Sequence, residues 1–392
     1  MAPGLIDTEH VDDGVAGLSL KEQNSQSNTT KSKYENDGPI RSTGALDHLE
    51  SFDVTPVIGR EFPTANLVEM IEAPNANDLL RELAYTISSR GVAFFRKQDN
   101  LTNDLQKQLV HRLGELTGKP STSKLHIHPV LNSEDEFGET RESDQEISTI
   151  SSKLFQKIYS NKEGQDTVCE KKQSSNQWHA DISFEPVPAD YTSLRLLQLP
   201  KTGGDTLWAS GYELYDLLSP PYQKFLEGLT ATFSQPGFHE AAKRGNFKLY
   251  DKPRGSPENV GTALKAVHPV IRTNPVTGRV VLKLRRPWPH VTHVNGVTKD
   301  ESTALLEWFK KLCVDNHDLQ VRFKWQDAND IAIWDNRSVF HNATYDFDGL
   351  GDRRGNRAVG LGEKPFFDPE SRSRREALEA DGAVVGKPFM AR

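Results

Sequence analysis

The chain has 392 residues, 35% of them hydrophobic, a formal net charge of −7 and two cysteines. That length suits one large domain or two ordinary ones, and with this acidic balance nothing in the composition advertises nucleic-acid or membrane binding. No run reaches the roughly 18 apolar residues of a membrane span, and Cys169 and Cys313 can build neither a disulfide framework nor a thiolate metal site.

Residues 1–45 are rich in Ser, Asn, Asp, Lys and Gly without apolar periodicity. They cannot bury enough surface to offset the entropy of ordering and are expected to be disordered. From about residue 50 the texture changes. "NANDLLRELAYTISSR" predicts an amphipathic helix, "GVAFFRKQ" a buried strand, and "TNDLQKQLVHRLGELTG" a second helix stopped by Gly118 and Pro120. "KLHIHPVL" predicts a short strand with His126 and His128 on one face. The acidic stretch 133–147, within a segment 131–175, reads as a long loop of the kind that is functional or disordered.

Strand patterns follow in "DYTSLRLLQL", "DTLWAS", "LTATFSQ", "AVHPVIRT", "RVVLKL", "DIAIWDN" and "RAVGLGE". One helix, "KDESTALLEWFKKLCVDN", interrupts them. Many short strands, few helices, no βαβ alternation and no repeat predict a mainly β core of two sheets with flanking helices. The expected organisation is a disordered segment 1–45, one catalytic domain 46–370, and a helix and tail 371–392. The start lacks the basic and apolar regions of a secretory leader, and the C-terminal "FMAR" matches no retention or peroxisomal address. The expected location is therefore the cytoplasm, as monomer or homo-oligomer.

In "SNQWHADISFEP" a histidine precedes an aspartate by two residues, and two such side chains on a strand share a face. Ferrous iron takes two imidazoles and one carboxylate on one face, leaving positions open. His179 and Asp181 supply two ligands, and His341 in "DIAIWDNRSVFHNATYD" is the candidate third. His126, His128, His290 and His293 are read as hydrogen-bonded core or surface histidines. "GDRRGNRAVGLGEKP" opens a strand with Arg353, Arg354 and Arg357. An iron site that activates oxygen needs electrons that a 2-oxo acid can supply, and a planar guanidinium holds the far carboxylate of 2-oxoglutarate in two bonds.

Together "WHADISF", "TGGDTLWAS", "HPVIRTNPVTG", "DIAIWDNRSVFH" and "RRGNRAVGLGEKPF" resemble, in order and spacing, the taurine and 2,4-dichlorophenoxyacetate dioxygenase family. The resemblance covers roughly residues 50–370 and implies a double-stranded β-helix (jelly roll), with Fe(II), 2-oxoglutarate and O2 as cofactor and co-substrates. It places His179, Asp181 and His341 as the catalytic metal ligands, and Thr206 and Arg353 on 2-oxoglutarate. Arg357 and His128 match contacts to the anionic group of a sulfonate substrate. Ser175 stands where the taurine enzymes carry a substrate-facing asparagine, with Asn176 beside it. Trp178 and Trp334 match supporting packing residues.

The implied reaction hydroxylates a C–H of a small anionic molecule and yields succinate and CO2; beside a sulfonate, the product collapses to aldehyde and sulfite. The long 131–175 segment and "VVLKLRRPWPHVTHV", with Arg285 and Arg286, depart from the simplest members and favour a larger metabolite or an aryloxy acid. Outside oxygenases, a hydrolase could use the same ligands for zinc and an activated water, or a jelly roll could bind without catalysis. The hydrolase leaves Thr206 and Arg353 without a role.

Overall fold

A computed structural model of the protein describes residues 39–131, 144–159, 174–282 and 291–386. The strands in chain order are β1 (Phe52–Asp53), β2 (Arg60–Phe62), β3 (Val92–Phe95), β4 (Ile147–Ser151), β5 (Ala189–Gln198), β6 (Thr206–Ser210), β7 (Thr230–Ser234) and β8 (Lys265–Pro269). They continue with β9 (Ile271–Thr273), β10 (Val280–Leu282), β11 (Val291–Val294), β12 (Gln320–Phe323), β13 (Ile331–Asp335), β14 (Val339–Ala343) and β15 (Arg354–Leu361). The helices are α1 (Leu67–Glu72), α2 (Ala76–Arg90), α3 (Asn103–Glu115), α4 (Ser152–Tyr159), α5 (Gly211–Asp216), α6 (Pro220–Leu226), α7 (Pro236–Gly245), α8 (Lys299–Asp315) and α9 (Arg374–Ala380). No helix among the described residues is long and apolar enough to cross a membrane.

The architecture is β-sheets with flanking helices. A seven-stranded sheet runs β1-β2-β3-β13-β5-β15-β4, and a three-stranded sheet runs β12-β6-β14. Smaller sheets run β11-β7-β8 and β10-β9, and their Phe233, Val280 and Leu282 share a core cluster with Ala209 and Phe340 of β6 and β14. Of the named pairings β2–β3 is parallel and the rest antiparallel. The two larger sheets share a core in which Phe94 stacks on Phe323 at 4.1 Å and Trp208 meets Trp334 edge-on at 5.7 Å. On the other face of the large sheet, α2 buries Leu80, Leu83 and Ile87, spaced by three and four residues, against Phe95, Ile331 and Ile333.

The helix ends follow local chemistry. Thr102 accepts the Leu105 amide at the start of α3, and Thr298 and Glu301 close a capping box on α8. Gly91 ends α2 at φ 78°, where a Cβ would lie 2.6 Å from Val339. Asp335, at the end of β13, is fully buried and accepts from Ser88 (2.7 Å), Asn274 (3.0 Å) and Arg337 (2.8 Å). That carboxylate ties α2, the end of β9 and the β13–β14 turn together. Arg337 and Arg272 both reach Glu363, so the buried charges are paired.

Several expectations need revision. Residues 39–45 are packed rather than disordered: Ile40 is buried and donates its amide to Val276, and Ser42 and Thr43 bond Glu82. The stretch read as a long loop holds β4 and α4, and β4 is an edge strand on β15. "KLHIHPVL" forms a single bridge, Leu125 to Gly360, rather than a strand. "AVHPVIRT" divides between two sheets at Val270. Residues 1–38, Cys169, Arg285, Arg286, His290 and the tail from 387 lie outside the described residues.

Candidate active site

The H-x-D pair does not sit on a continuous strand. His179 forms an antiparallel bridge with His341, and the chain then turns at Asp181. His341 lies on β14, which pairs with β6 so that His341 faces Trp208 in register. The turn is held by the Asp181 amide donating to Asn336 Oδ1 at 3.0 Å and by Glu185 donating its amide to Ile182. This arrangement brings the ligand atoms of His179, Asp181 and His341 within 4.8 Å of one another.

The donor set suits a divalent metal. His179 Nδ1 lies 2.8 Å from the carbonyl of Gln177, which fixes the proton there and leaves Nε2 with its lone pair. Asp181 is buried; its Oδ1 accepts from Arg357 Nη1 at 2.7 Å, and its Oδ2 has no hydrogen bond. A buried carboxylate oxygen without a donor is what a bound cation would satisfy. Burial pushes the Asp181 pKa up, but the Arg357 charge and the imidazoles of His341 and His179 outweigh it and hold the carboxyl well below the usual range. Two imidazoles and one carboxylate with room beside them match the facial set of ferrous oxygenases.

Arg353, just before β15, is 5% exposed. Its Nε donates to the Gly204 carbonyl at 2.8 Å and its Nη2 to Thr206 Oγ1 at 3.2 Å. Thr206 Oγ1 also accepts from Trp325 Nε1 at 3.1 Å, so its own proton is directed elsewhere. Burial pushes the Arg353 pKa down to about 10, with Tyr345 and Asp205 opposing the shift. No carboxylate forms an ion pair with Arg353 among the described residues. A buried guanidinium in that state suits the far carboxylate of a 2-oxo diacid.

These groups line one cavity of about 460 Å³ with His128, Arg357, Arg244 and Gln235. His128 Nδ1 accepts the amides of Val130 (3.0 Å) and Leu131 (2.8 Å), so the neutral ring carries its proton on Nε2. The walls are largely apolar: Ile150, Phe155, Ile182, Phe184, Leu194 and Phe238 among them. Phe238 on α7 packs on His128 at 5.0 Å and on Phe184 at 5.7 Å.

Eight of the singled-out residues gather as expected or stand directly behind the site. His179, Asp181, His341, Thr206, Arg353, Arg357, His128 and Trp334 all line the cavity. Ser175 instead lines a separate surface depression with Glu307 and Trp308, and neither Ser175 nor Asn176 lines the cavity. Arg354 points away from it, as alternation along β15 requires. His126 bonds Glu185, which also holds Arg254 through both oxygens. Residues that sequence reasoning missed are Gln177, Trp325, Asn336 and the α7 wall. The helix pattern of "PGFHEAAKRG" was the available sign for α7.

Residues 50–359 match the model of a family described as "Taurine catabolism dioxygenase TauD, TfdA family". The chain is 51% identical over 349 residues to the alpha-ketoglutarate-dependent dioxygenase btcD of Neocamarosporium betae, covering 86% of this chain and 98% of that protein. It is 30% identical over 324 residues to an alpha-ketoglutarate-dependent sulfonate dioxygenase of Saccharomyces cerevisiae, covering 82% and 69%. Among solved structures, a taurine dioxygenase from Burkholderia xenovorans superposes with a TM-score of 0.58 at 24% identity, covering 83% and 94%, and shares the fold. A two-histidine, one-carboxylate cluster sharing a cavity with a buried arginine that has no carboxylate partner among the described residues, on a chain so similar to these dioxygenases, makes this protein a member of the TauD/TfdA family, an oxidoreductase that depends on Fe(II), 2-oxoglutarate and O2.

Proposed function

We propose that this enzyme hydroxylates a C–H bond of a small anionic molecule, with His179, Asp181 and His341 holding the iron. Arg353 and Thr206 take the far carboxylate of 2-oxoglutarate. Arg357 and His128 hold the anionic group of the substrate. The observation that carries this reading is Arg353: a buried guanidinium without a carboxylate partner among the described residues, sharing one cavity with the three ligands. A zinc hydrolase would give that arginine nothing to do. On this reading the large sheet and the β12-β6-β14 sheet are the two walls of a double-stranded β-helix, within a catalytic domain spanning 46–370 and working in the cytoplasm.

Iron(II) with 2-oxoglutarate and O2 supplies the oxidation that converts C–H to C–OH, with succinate and CO2 released. The chain positions. His128 Nε2–H and the Arg357 fork fix the anion and so decide which carbon faces the ligand cluster. The apolar walls exclude water from the oxidation. If the anion is a sulfonate on a CH2 group, hydroxylation of that carbon releases sulfite and leaves an aldehyde. The relative from S. cerevisiae carries a sulfonate in its name and supports that choice. The apolar wall of Ile182, Phe184 and Phe238 favours an anion with an apolar body, as in an alkyl or arylalkyl sulfonate or an aryloxy acid.

The test is succinate release from 2-oxoglutarate by purified enzyme with Fe(II) and air, across taurine, hexanesulfonate, phenylmethanesulfonate and aryloxyacetates. Succinate rising with a sulfonate, with sulfite in equal amount, supports the sulfonate reading. Turnover with the aryloxyacetates and none with sulfonates moves the substrate to carboxylic acids. No succinate from iron-loaded protein with any of them would sink the reading.

A further inference from the structure

We propose that Asn336 is a positioning residue for the metal-binding carboxylate, acting through the backbone of Asp181. The inference rests on reading His179, Asp181 and His341 as the ligand set. The turn that carries Asp181 is strained: Ile182 has φ 45°, the left-handed region that a β-branched side chain rarely enters. Strain of this kind persists only where the surroundings over-determine it, and it gathers at functional sites.

The restraint is visible. Asn336, in the β13–β14 turn, is 1% exposed. Its Oδ1 accepts the Asp181 amide at 3.0 Å and Trp334 Nε1 at 3.1 Å. Its Nδ2 donates to Thr192 Oγ1 at 2.8 Å and to the Asp190 carbonyl at 3.2 Å. Two donors meet the oxygen and two acceptors meet the nitrogen, so a single orientation of the amide satisfies all four. On the far side of the turn, Ser183 Oγ donates to the Ala180 carbonyl, and His268 Nε2 lies 3.0 Å from the carbonyls of both Ser183 and Glu185. The bond from Asn336 falls on the one residue whose carboxylate must converge with two imidazoles. It therefore fixes where the carboxylate points, and Ile182 takes up the distortion.

Titration with Co(II) as an iron surrogate, followed by its visible absorption, tests this without turnover. Wild-type protein should bind one equivalent. Asn336→Ala should bind about tenfold to a hundredfold more weakly, the usual loss when the partner behind a ligand is removed. Adding Ile182→Gly, which allows the turn its φ without strain, should recover part of that loss. Metal affinity in Asn336→Ala within about twofold of wild type, whatever its Tm, would overturn the inference while leaving the ligand set intact. A wild-type protein that binds no Co(II) would sink the ligand set, and the inference with it. If Asn336→Ala does not fold, hydrogen exchange of the Asp181 amide in the wild type decides: slow exchange supports the bond to Asn336, and exchange at the rate of an exposed amide overturns it.

Discussion

His179 and His341 exchange both backbone hydrogen bonds, the His179 amide to the His341 carbonyl at 2.9 Å and the His341 amide to the His179 carbonyl at 2.8 Å. Two distant segments are thereby locked in register, and their rings stand 4.2 Å apart between centroids. Backbone pairing, rather than side-chain packing alone, sets the spacing of the two imidazoles.

Removing any one ligand should abolish the metal site. His179→Ala, Asp181→Ala and His341→Ala are each expected to lose stoichiometric metal binding and all succinate formation. In wild type, a chelator should stop turnover and added Fe(II) restore it. Equilibrium dialysis and succinate assay check both.

Arg353→Met should raise the KM for 2-oxoglutarate about tenfold to a hundredfold, the loss of a charge-assisted pair. Because the buried guanidinium forms no ion pair with a carboxylate among the described residues, the Tm of the variant should not fall. The pH dependence has a sign. The folded-state pKa, about 10, lies below the ordinary 12.5, so the charge is a fixed stability cost at neutral pH. Between about 10 and 12.5 the folded state releases this proton before the unfolded state does, so this group adds stability as pH rises. Affinity for 2-oxoglutarate should fall over the same rise, which calorimetry at stepped pH would reveal.

Arg357→Ala should raise the KM for an anionic substrate by about tenfold or more, with the KM for 2-oxoglutarate changed by less than about threefold. Arg357→Lys keeps the charge but not the fork, and should uncouple the reaction, with succinate formed in excess of product. Equal amounts of succinate and product from Arg357→Lys would refute the anchoring role.

Glu185→Ala should destabilise the fold by about 3–5 kcal/mol, because it strands Arg254 as an unpaired buried charge. Burial alone would raise the Glu185 pKa, but Arg254 and His126 pull it down. The stability this carboxylate contributes is present above its ordinary pKa and is lost as pH falls through the depressed one. Chemical denaturation at neutral pH, and on the acid side, measures both effects.

The metal site was legible because its residue types are rare in combination: His179 and Asp181 stand two apart, and His341 follows a distant strand pattern. The reason given for the H-x-D spacing was not the one the molecule uses: Asp181 reaches the site from a turn, and nothing in "HADIS" announces that an isoleucine will take a positive φ. Arg353, Arg354 and Arg357 were legible as three arginines opening a strand, and the resemblance singled out Arg353 and Arg357. β4 was hidden because "ISTIS" is a short run behind an acidic stretch, so the turn at Asp144, whose side chain accepts the Glu146 amide at 2.9 Å, reads as more of the loop. The substrate wall on α7 was hidden for a different reason, since Phe238 becomes a wall only when a helix from elsewhere in the chain covers His128. Asn336 was beyond sequence reasoning, because each of its four bonds is made across the fold.

β15 acts as a ruler. Arg353 stands immediately before the strand and Arg357 within it, both lining the cavity, so four residues of extended chain put their backbones about 13 Å apart at the usual rise per residue. Inserting or deleting one residue between them would turn one arginine away from the cavity. If Arg353 takes the co-substrate and Arg357 the substrate anion, as proposed, the two are not separately adjustable from this strand. On that reading, variation in what the enzyme accepts has to come from pieces laid over this strand, chiefly the α7 wall at Phe238, where bulk can change without moving the turn that carries Asp181.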